Sequence, residues 1–429
     1  MARLAIFCDG TWNRLDSRFA TNVVKLAESV ESVARDGVRQ LVFYDDGVGS
    51  GTAVAKGVDK LIGGATGKGL LRNIEDAYRF LIFNHQPGDE IYVFGFSRGA
   101  FTARSLCGLI RNCGIIQRRY ASRVDEAIAL YRDASEAGHP NGEQALEFRA
   151  RYAADHILND RDIAHRKAGA DPPPRLRVDF LGVWDTVGSL GLPDTFITGL
   201  FQRNEKFAFH DTQLSAMIRA GRHAVAIDEK RESFSPTLWT PDESHDPETV
   251  QQAWFPGDHG SVGGGGDITG LSDAALLWIA EGALEAGLEY SPLPDTPLRT
   301  ARPDHRAALE NISSAARKGG LTSFITRRLP KKDRLAVLEK AYREEVERLK
   351  KLGRAELAAE LKPPRIAVEE LAASAVLRWN EAAENLAEGE PYRPGTLDGL
   401  KDLLEGAAAL AKSAAERLSA LAARFQPSG

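Results

Sequence analysis

The sequence predicts an α/β fold: a doubly wound, mostly parallel sheet with a helical insertion and a helical C-terminal tail. Three observations predict it. Short apolar runs closed by Asp or Gly alternate with helical periodicity through residues 1–117 and again through 176–286, the pattern of a parallel sheet covered on both faces. Between these blocks, Arg118–Asp171 is strongly charged, helical in pattern and free of strand-like runs, and it ends at Pro172-Pro173-Pro174. From about residue 300 the patterning is helical.

Each element has its own signal. Leu4–Cys8, Gln40–Tyr44 and Glu90–Phe96 are rich in β-branched, aromatic or aliphatic residues and read as buried strands. Thr21–Arg35 carries Val23, Val24, Leu26 and Val30 near helical spacing, and Asn73–Asn84 does the same with Ile74, Ala77, Tyr78 and Leu81. The alternation resumes with strands at Leu176–Trp184, His223–Ile227 and Val250–Phe255 and a helix at Ser272–Ala286. Lys332–Leu352 is a charged amphipathic helix laced with i,i+4 pairs such as Glu339/Arg343. Leu397–Phe425 carries an apolar stripe from Leu403 through Leu410 and Leu418 to Phe425. Both helices are expected to pack on the main domain or on each other. The strands that feed functional loops form one sheet, so residues 1–299 read as a single core with 118–175 as an insertion or cap. Residues 300–397 continue that domain, and 398–429 form a terminal amphipathic helix.

Composition excludes several classes. Apolar residues at 43% and charged residues at 27% describe an ordinary globular chain, not a disordered one. A net charge of −5 over 429 residues leaves no nucleic-acid footprint. Cys8, Cys107 and Cys113 are too few for a disulfide framework and lack metal-ligand spacing. No apolar run approaches the roughly 18 residues of a membrane-spanning helix, and the N-terminal run is too short for a signal peptide's core. The expected location is cytoplasmic.

The chemistry concentrates at Gly95-Phe96-Ser97-Arg98-Gly99, a G-x-S-x-G motif that follows a strand and opens the helix Ala100–Ile110. Such a turn lifts the serine oxygen above the sheet at a helix N-terminus, where backbone N–H groups favour developing negative charge. Ser97 is the expected nucleophile. Its base is expected at His259, which follows the last strand on the glycine-rich loop Gly257–Gly266. Two residues compete as the orienting acid. Asp185 ends the strand after the elbow strand, in the tight loop Trp184-Asp185-Thr186-Val187-Gly188; Asp228 ends the next strand, in what reads as a solvated charge cluster, Asp228-Glu229-Lys230-Arg231. Fold precedent favours the later strand and local sequence favours Asp185, which is preferred. Either choice gives the chain order Ser–Asp–His of α/β-hydrolases. The oxyanion hole is expected from the Arg98 N–H with an N–H of Gly10 or Thr11 in the loop after the first strand. Asp9 is read as a structural anchor, or alternatively as the holder of a cation, and Asp45-Asp46 receive no catalytic role. Gly63–Gly69 imitates a phosphate loop, but Ile62 and Gly69 stand where that pattern needs Gly and Ser or Thr.

With these residues in view, the sequence resembles the family known as domain of unknown function 2235, related to the catalytic domain of type VI secretion phospholipase effectors of the first class. The matching blocks are Phe7–Asn13, Gly95–Arg104, Phe180–Val187 and Trp254–His259 with its glycine run; smaller ones are Ile227–Arg231 before Phe234 and Tyr392–Pro394. The resemblance implies an α/β-hydrolase-like fold, a triad of Ser97, Asp185 and His259, and hydrolysis of carboxylic esters, with phospholipids as substrates of the secreted members. It adds peripheral membrane contact, an immunity protein or a secretion apparatus as partners and a type VI-like export route. No cofactor is called for. A rival reading is a non-catalytic hydrolase-fold scaffold that binds a partner through its C-terminal helices.

Overall fold

A computed structural model describes residues 1–10, 13, 15–47, 66–133, 135–167, 171–187, 214–231, 234–239, 245–311, 333–351, 353–361, 363–405 and 408–425. The strands are β1 (Ala2–Cys8), β2 (Arg39–Asp45), β3 (Glu90–Phe96), β4 (Phe180–Trp184), β5 (Gly221–Ala226) and β6 (Val250–Phe255). They form one sheet in the order β2-β1-β3-β4-β5-β6, every neighbouring pair parallel. The first helices are α1 (Asn22–Ser29), α2 (Thr66–Asn84) and α3 (Arg98–Cys113). The chain winds outward from β1 to β2, then returns to place β3 on the other side of β1. Loops leaving β1 and β3 therefore diverge, and the crevice between them is where open parallel sheets present their ligands.

Each face of the sheet has its own core. One joins Leu4, Ile6, Ile91 and Val93 to α2 and α3 through Tyr78, Leu81, Leu106 and Ile110. The other joins Phe7, Phe94, Phe180 and Trp184 to α1 and to the helix Gly270–Glu285 through Leu26, Leu276 and Ile279. Strands buried on both faces read as continuous apolar runs, which is why they were visible in the sequence.

The 118–175 region adds Val124, Ala127, Phe148 and Tyr152 to the first core. Its polar ties reach the far end of α3: Arg149 Nη1 donates to the Asn112 carbonyl at 2.7 Å, and Asn112 Nδ2 donates to the Gly138 carbonyl at 2.8 Å. A helix of 16 residues is about 24 Å long, so these contacts lie well away from Ser97 at its start.

The C-terminal helices pack on the sheet. Residues 366–404 supply Leu371, Val376, Trp379, Tyr392 and Leu404 to a third core with Val225 and Trp254. Leu371 bridges Trp254 in parallel, so this segment lies along the outer side of β6. In the last helix, Ala408–Phe425, Leu421 and Phe425 enter the second core while Arg424 pairs with Glu281 and Glu285. Among the described residues no helix is long and apolar enough to cross a membrane.

Candidate active site

Ser97 sits between β3 and α3 with φ 58° and ψ −124°, a backbone conformation that costs a non-glycine residue on the order of 1 kcal/mol or more. The flanking glycines make the turn sterically feasible. A Cβ on Gly95 would stand 2.7 Å from the Cα of Ala100, and one on Gly99 would stand 2.6 Å from the carbonyl carbon of Asp9. The Ser97 N–H is held by the Trp184 carbonyl at 3.0 Å, which ties the elbow to the end of β4.

Asp185 follows β4 and is fully buried, with φ 38°. Its Oδ2 lies 2.6 Å from His259 Nδ1, and its Oδ1 accepts the Ala226 N–H at 2.9 Å. Burial by itself would push this carboxyl up. The charge of Arg334 and the hydrogen bond from His259 outweigh that and hold it well below the usual carboxylate range. Thr186 is fixed beside it by donating its N–H to His223 Nε2 at 3.3 Å. Burial lowers the His223 imidazole to about 3, so it accepts as a neutral ring.

His259 is the first residue of the short helix His259–Gly263, capped by Asp258, whose side chain accepts the Ser261 N–H at 2.8 Å. Its ring lies between two aromatics, Phe96 at 4.6 Å and Phe234 at 4.8 Å between centroids. The Arg231 guanidinium covers Phe234 at 3.7 Å. With Nδ1 committed to Asp185, Nε2 is buried and has no hydrogen-bond partner among the described residues. The Ser97 hydroxyl does not bond to it in this structure. An imidazole oriented through Nδ1, with an unspent Nε2, is the arrangement a general base needs.

On the side of the expected oxyanion donors, a Cβ on Gly10 would lie 3.2 Å from the Ser97 Cβ, so the loop after β1 borders Ser97. The Gly10 N–H, however, donates to Asp9 Oδ1 at 2.6 Å and is engaged here. Thr11, the alternative donor, lies outside the described residues. Arg98 opens α3, so its N–H is among the first-turn donors that no helical carbonyl accepts. Asp9 also accepts from Thr21 at 2.7 Å, Tyr44 at 2.9 Å and Asn13 at 3.3 Å. Burial raises it to about 6. Four donors make it the anchor of this loop.

Asp228 is used elsewhere. Its Oδ2 accepts the Gly257 N–H at 2.6 Å and the Tyr392 hydroxyl at 2.8 Å, so it shapes the loop leading to His259 without touching the ring. Nor is the 228–231 run the solvated cluster its composition suggests. Glu229 is buried, accepts the His259 N–H at 3.3 Å and is gripped by Arg231 at 2.8 and 2.6 Å. Among the described residues no group of three or more His, Cys, Asp or Glu side chains could hold a metal ion.

Residues 2–282 match the family described as the type VI secretion phospholipase effector Tle1-like catalytic domain. The chain belongs to this family. Beyond it, an uncharacterized protein of Saccharomyces cerevisiae is 29% identical over 252 residues, which cover 55% of this chain and 32% of the yeast protein. The chain thus spans about a third of that relative's length. Among solved structures, an uncharacterized protein from Pseudomonas aeruginosa aligns with TM-score 0.37 and 17% identity, covering 96% of this chain and 66% of the other. The Tle1 effector bound to the VgrG spike of the type 6 secretion system aligns with TM-score 0.39 and 15% identity, covering 86% and 82%. At such scores the superpositions are loose, and family membership rests on the sequence match.

One residue at the site had no sequence signal. Arg334 begins the helix Arg334–Lys351 and binds both oxygens of Asp185, at 2.8 and 3.1 Å. In the sequence it is one of three arginines in a charged amphipathic helix. The other omissions had weak signals: Phe234 and Arg231 lie in the short block that accompanies the resemblance, yet nothing there assigns a role.

Proposed function

We propose that this Tle1-like domain is a serine hydrolase that cleaves carboxylic esters of lipids or phospholipids through Ser97, His259 and Asp185. The observation that carries the reading is the buried Asp185–His259 bond of 2.6 Å, which leaves Nε2 unpaired on the loop opposite a strained serine elbow. Ser97 Oγ attacks the ester carbonyl and His259 Nε2 takes its proton, then returns it to the leaving alcohol. Water repeats the sequence on the acyl-enzyme. The Arg98 N–H, with an N–H of Gly10 or Thr11 in the loop after β1, receives the developing oxyanion. Gly10 supplies close approach, and its N–H joins only where Asp9 turns aside. Phospholipid as substrate rests on the family description.

The test is covalent labelling. A fluorophosphonate probe is expected to modify wild-type protein at Ser97, and Ser97→Ala is expected to be unlabelled and to lose at least about 10³-fold in p-nitrophenyl butyrate hydrolysis. Undiminished labelling of the variant at another residue, or no labelling of the wild type, contradicts the reading; the latter favours the scaffold alternative.

Family membership supports a second, narrower reading in which the chain is an antibacterial effector delivered by a type VI apparatus and restrained by an immunity protein. Toxicity on targeting to the periplasm, abolished by Ser97→Ala, supports that role. Full esterase activity without toxicity counts against it.

A further inference from the structure

Arg334 lies beyond residues 2–282, which define the family match, yet it is built into the centre of the site. Its side chain is 1% exposed. Nη1 donates to Asp185 Oδ1 at 2.8 Å and to the Ala226 carbonyl at 3.0 Å. Nη2 donates to Asp185 Oδ2 at 3.1 Å and to the Phe234 carbonyl. The two terminal nitrogens thus meet the acid, the end of β5 and the residue whose ring packs on His259. A planar guanidinium spanning both carboxylate oxygens fixes the rotation of that carboxylate as well as its charge.

Asp185 needs such a holder. Its left-handed φ is unfavourable for a side chain with a Cβ, and a buried carboxylate without a compensating cation is costly. Among the described residues, its remaining donors are the Ala226 N–H and His259 Nδ1. Without the fork, those two bonds are what sets the direction of the carboxylate among the described residues.

We infer that Arg334 is a positioning residue of the Ser97–His259–Asp185 machinery, orienting Asp185 Oδ2 onto His259 Nδ1 and making catalysis depend on the docked helix Arg334–Lys351. The inference rests on the serine-hydrolase reading above. Because the guanidinium offsets the carboxylate's charge, Asp185 acts chiefly by direction: it fixes the ring so that Nε2 faces the serine. The planar fork is then the functional element, and an ammonium in its place preserves charge without the two-point grip.

The experiment compares full-length wild type, Arg334→Ala and Arg334→Lys. It measures the fluorophosphonate labelling rate at Ser97, kcat and KM on p-nitrophenyl butyrate, and thermal unfolding. Added guanidinium or urea, each at millimolar concentration, is the rescue arm. Arg334→Ala is expected to lose roughly 100-fold in kcat and labelling rate with KM little changed. Guanidinium is expected to recover about tenfold, and urea none. Arg334→Lys is expected to fold and to lose kcat, with KM retained. A folded Arg334→Ala with wild-type kcat overturns the inference, as does a loss that guanidinium leaves untouched and that follows the unfolded fraction. Should Arg334→Ala fail to fold, Arg334→Lys decides: wild-type kcat overturns the inference, and reduced kcat at unchanged KM sustains it. Absence of labelling in wild type overturns the hydrolase reading itself and is distinguishable from all of these.

Discussion

The Ser97 side of the candidate site and its Asp185–His259 side are assembled in different ways. Gly95 to Gly99 is a local device: strand, strained serine and helix are contiguous, and the close approaches that require its glycines come from β1 and the turn itself. The other side gathers Asp185, His259 and Arg334 from segments up to 149 residues apart and holds them by buried polar contacts. The first is specified by what cannot fit, the second by what must be paired. They should therefore fail differently: an added methyl strains the elbow, whereas a lost hydrogen bond strands a charge on the other side.

The largest expected effect separates the two acids. Asp185→Asn should lower kcat on the order of 10³-fold, because an amide cannot hold the imidazole as the carboxylate does. Asp228→Asn should keep kcat within a few-fold of wild type. The reverse pattern would assign the acid to Asp228 and dissolve the comparison. Next, Gly99→Ala should destabilise the fold by about 3 kcal/mol or more, since its Cβ would press on the backbone of Cys8 and Asp9; thermal unfolding measures this. A mild effect would mean that the elbow can shift and is not sterically fixed.

The smallest expectation concerns pH. Burial raises Asp228 from 3.8 to about 6. The folded state thus binds a proton that the unfolded state has released, and this group's contribution to stability falls as pH rises from about 4 to about 6. Above that range the wild type carries a penalty of roughly 3 kcal/mol, which an amide avoids. The Tm of Asp228→Asn relative to wild type should therefore rise across that window and level off above it. A pH-independent difference would show that Asp228 is ionised in both states.

Most strands were legible because strands buried on both faces appear as apolar runs, and the half-exposed edge strand β2 through its aliphatic and aromatic residues; β3 and β6 fall within the expected bounds, and others shift by a few residues. Ser97 was legible because its turn needs glycines at fixed offsets. His259 and Asp185 could be picked out by position after a strand, and the structure pairs their side chains. What stayed hidden is tertiary. Neither the burial of Glu229 nor the engagement of the Gly10 N–H by Asp9 follows from local composition. Arg334 shares its helix with other arginines, and only the docking of that helix singles it out. The limits of helices also shifted: Thr21–Arg35 contracts to Asn22–Ser29, where Thr21 serves as N-cap and accepts the Val24 N–H.

The strap along β6 has a consequence for dissection of the chain. Ala372 donates its N–H to the Trp254 carbonyl at 3.0 Å, so Leu371 and Ala372 close part of what would otherwise be an open ladder of peptide groups. A fragment ending at residue 282 would keep all six strands yet present that ladder, with Trp254 and Val225 uncovered, to any extended peptide able to zip onto it. Such a fragment should self-associate through strand addition.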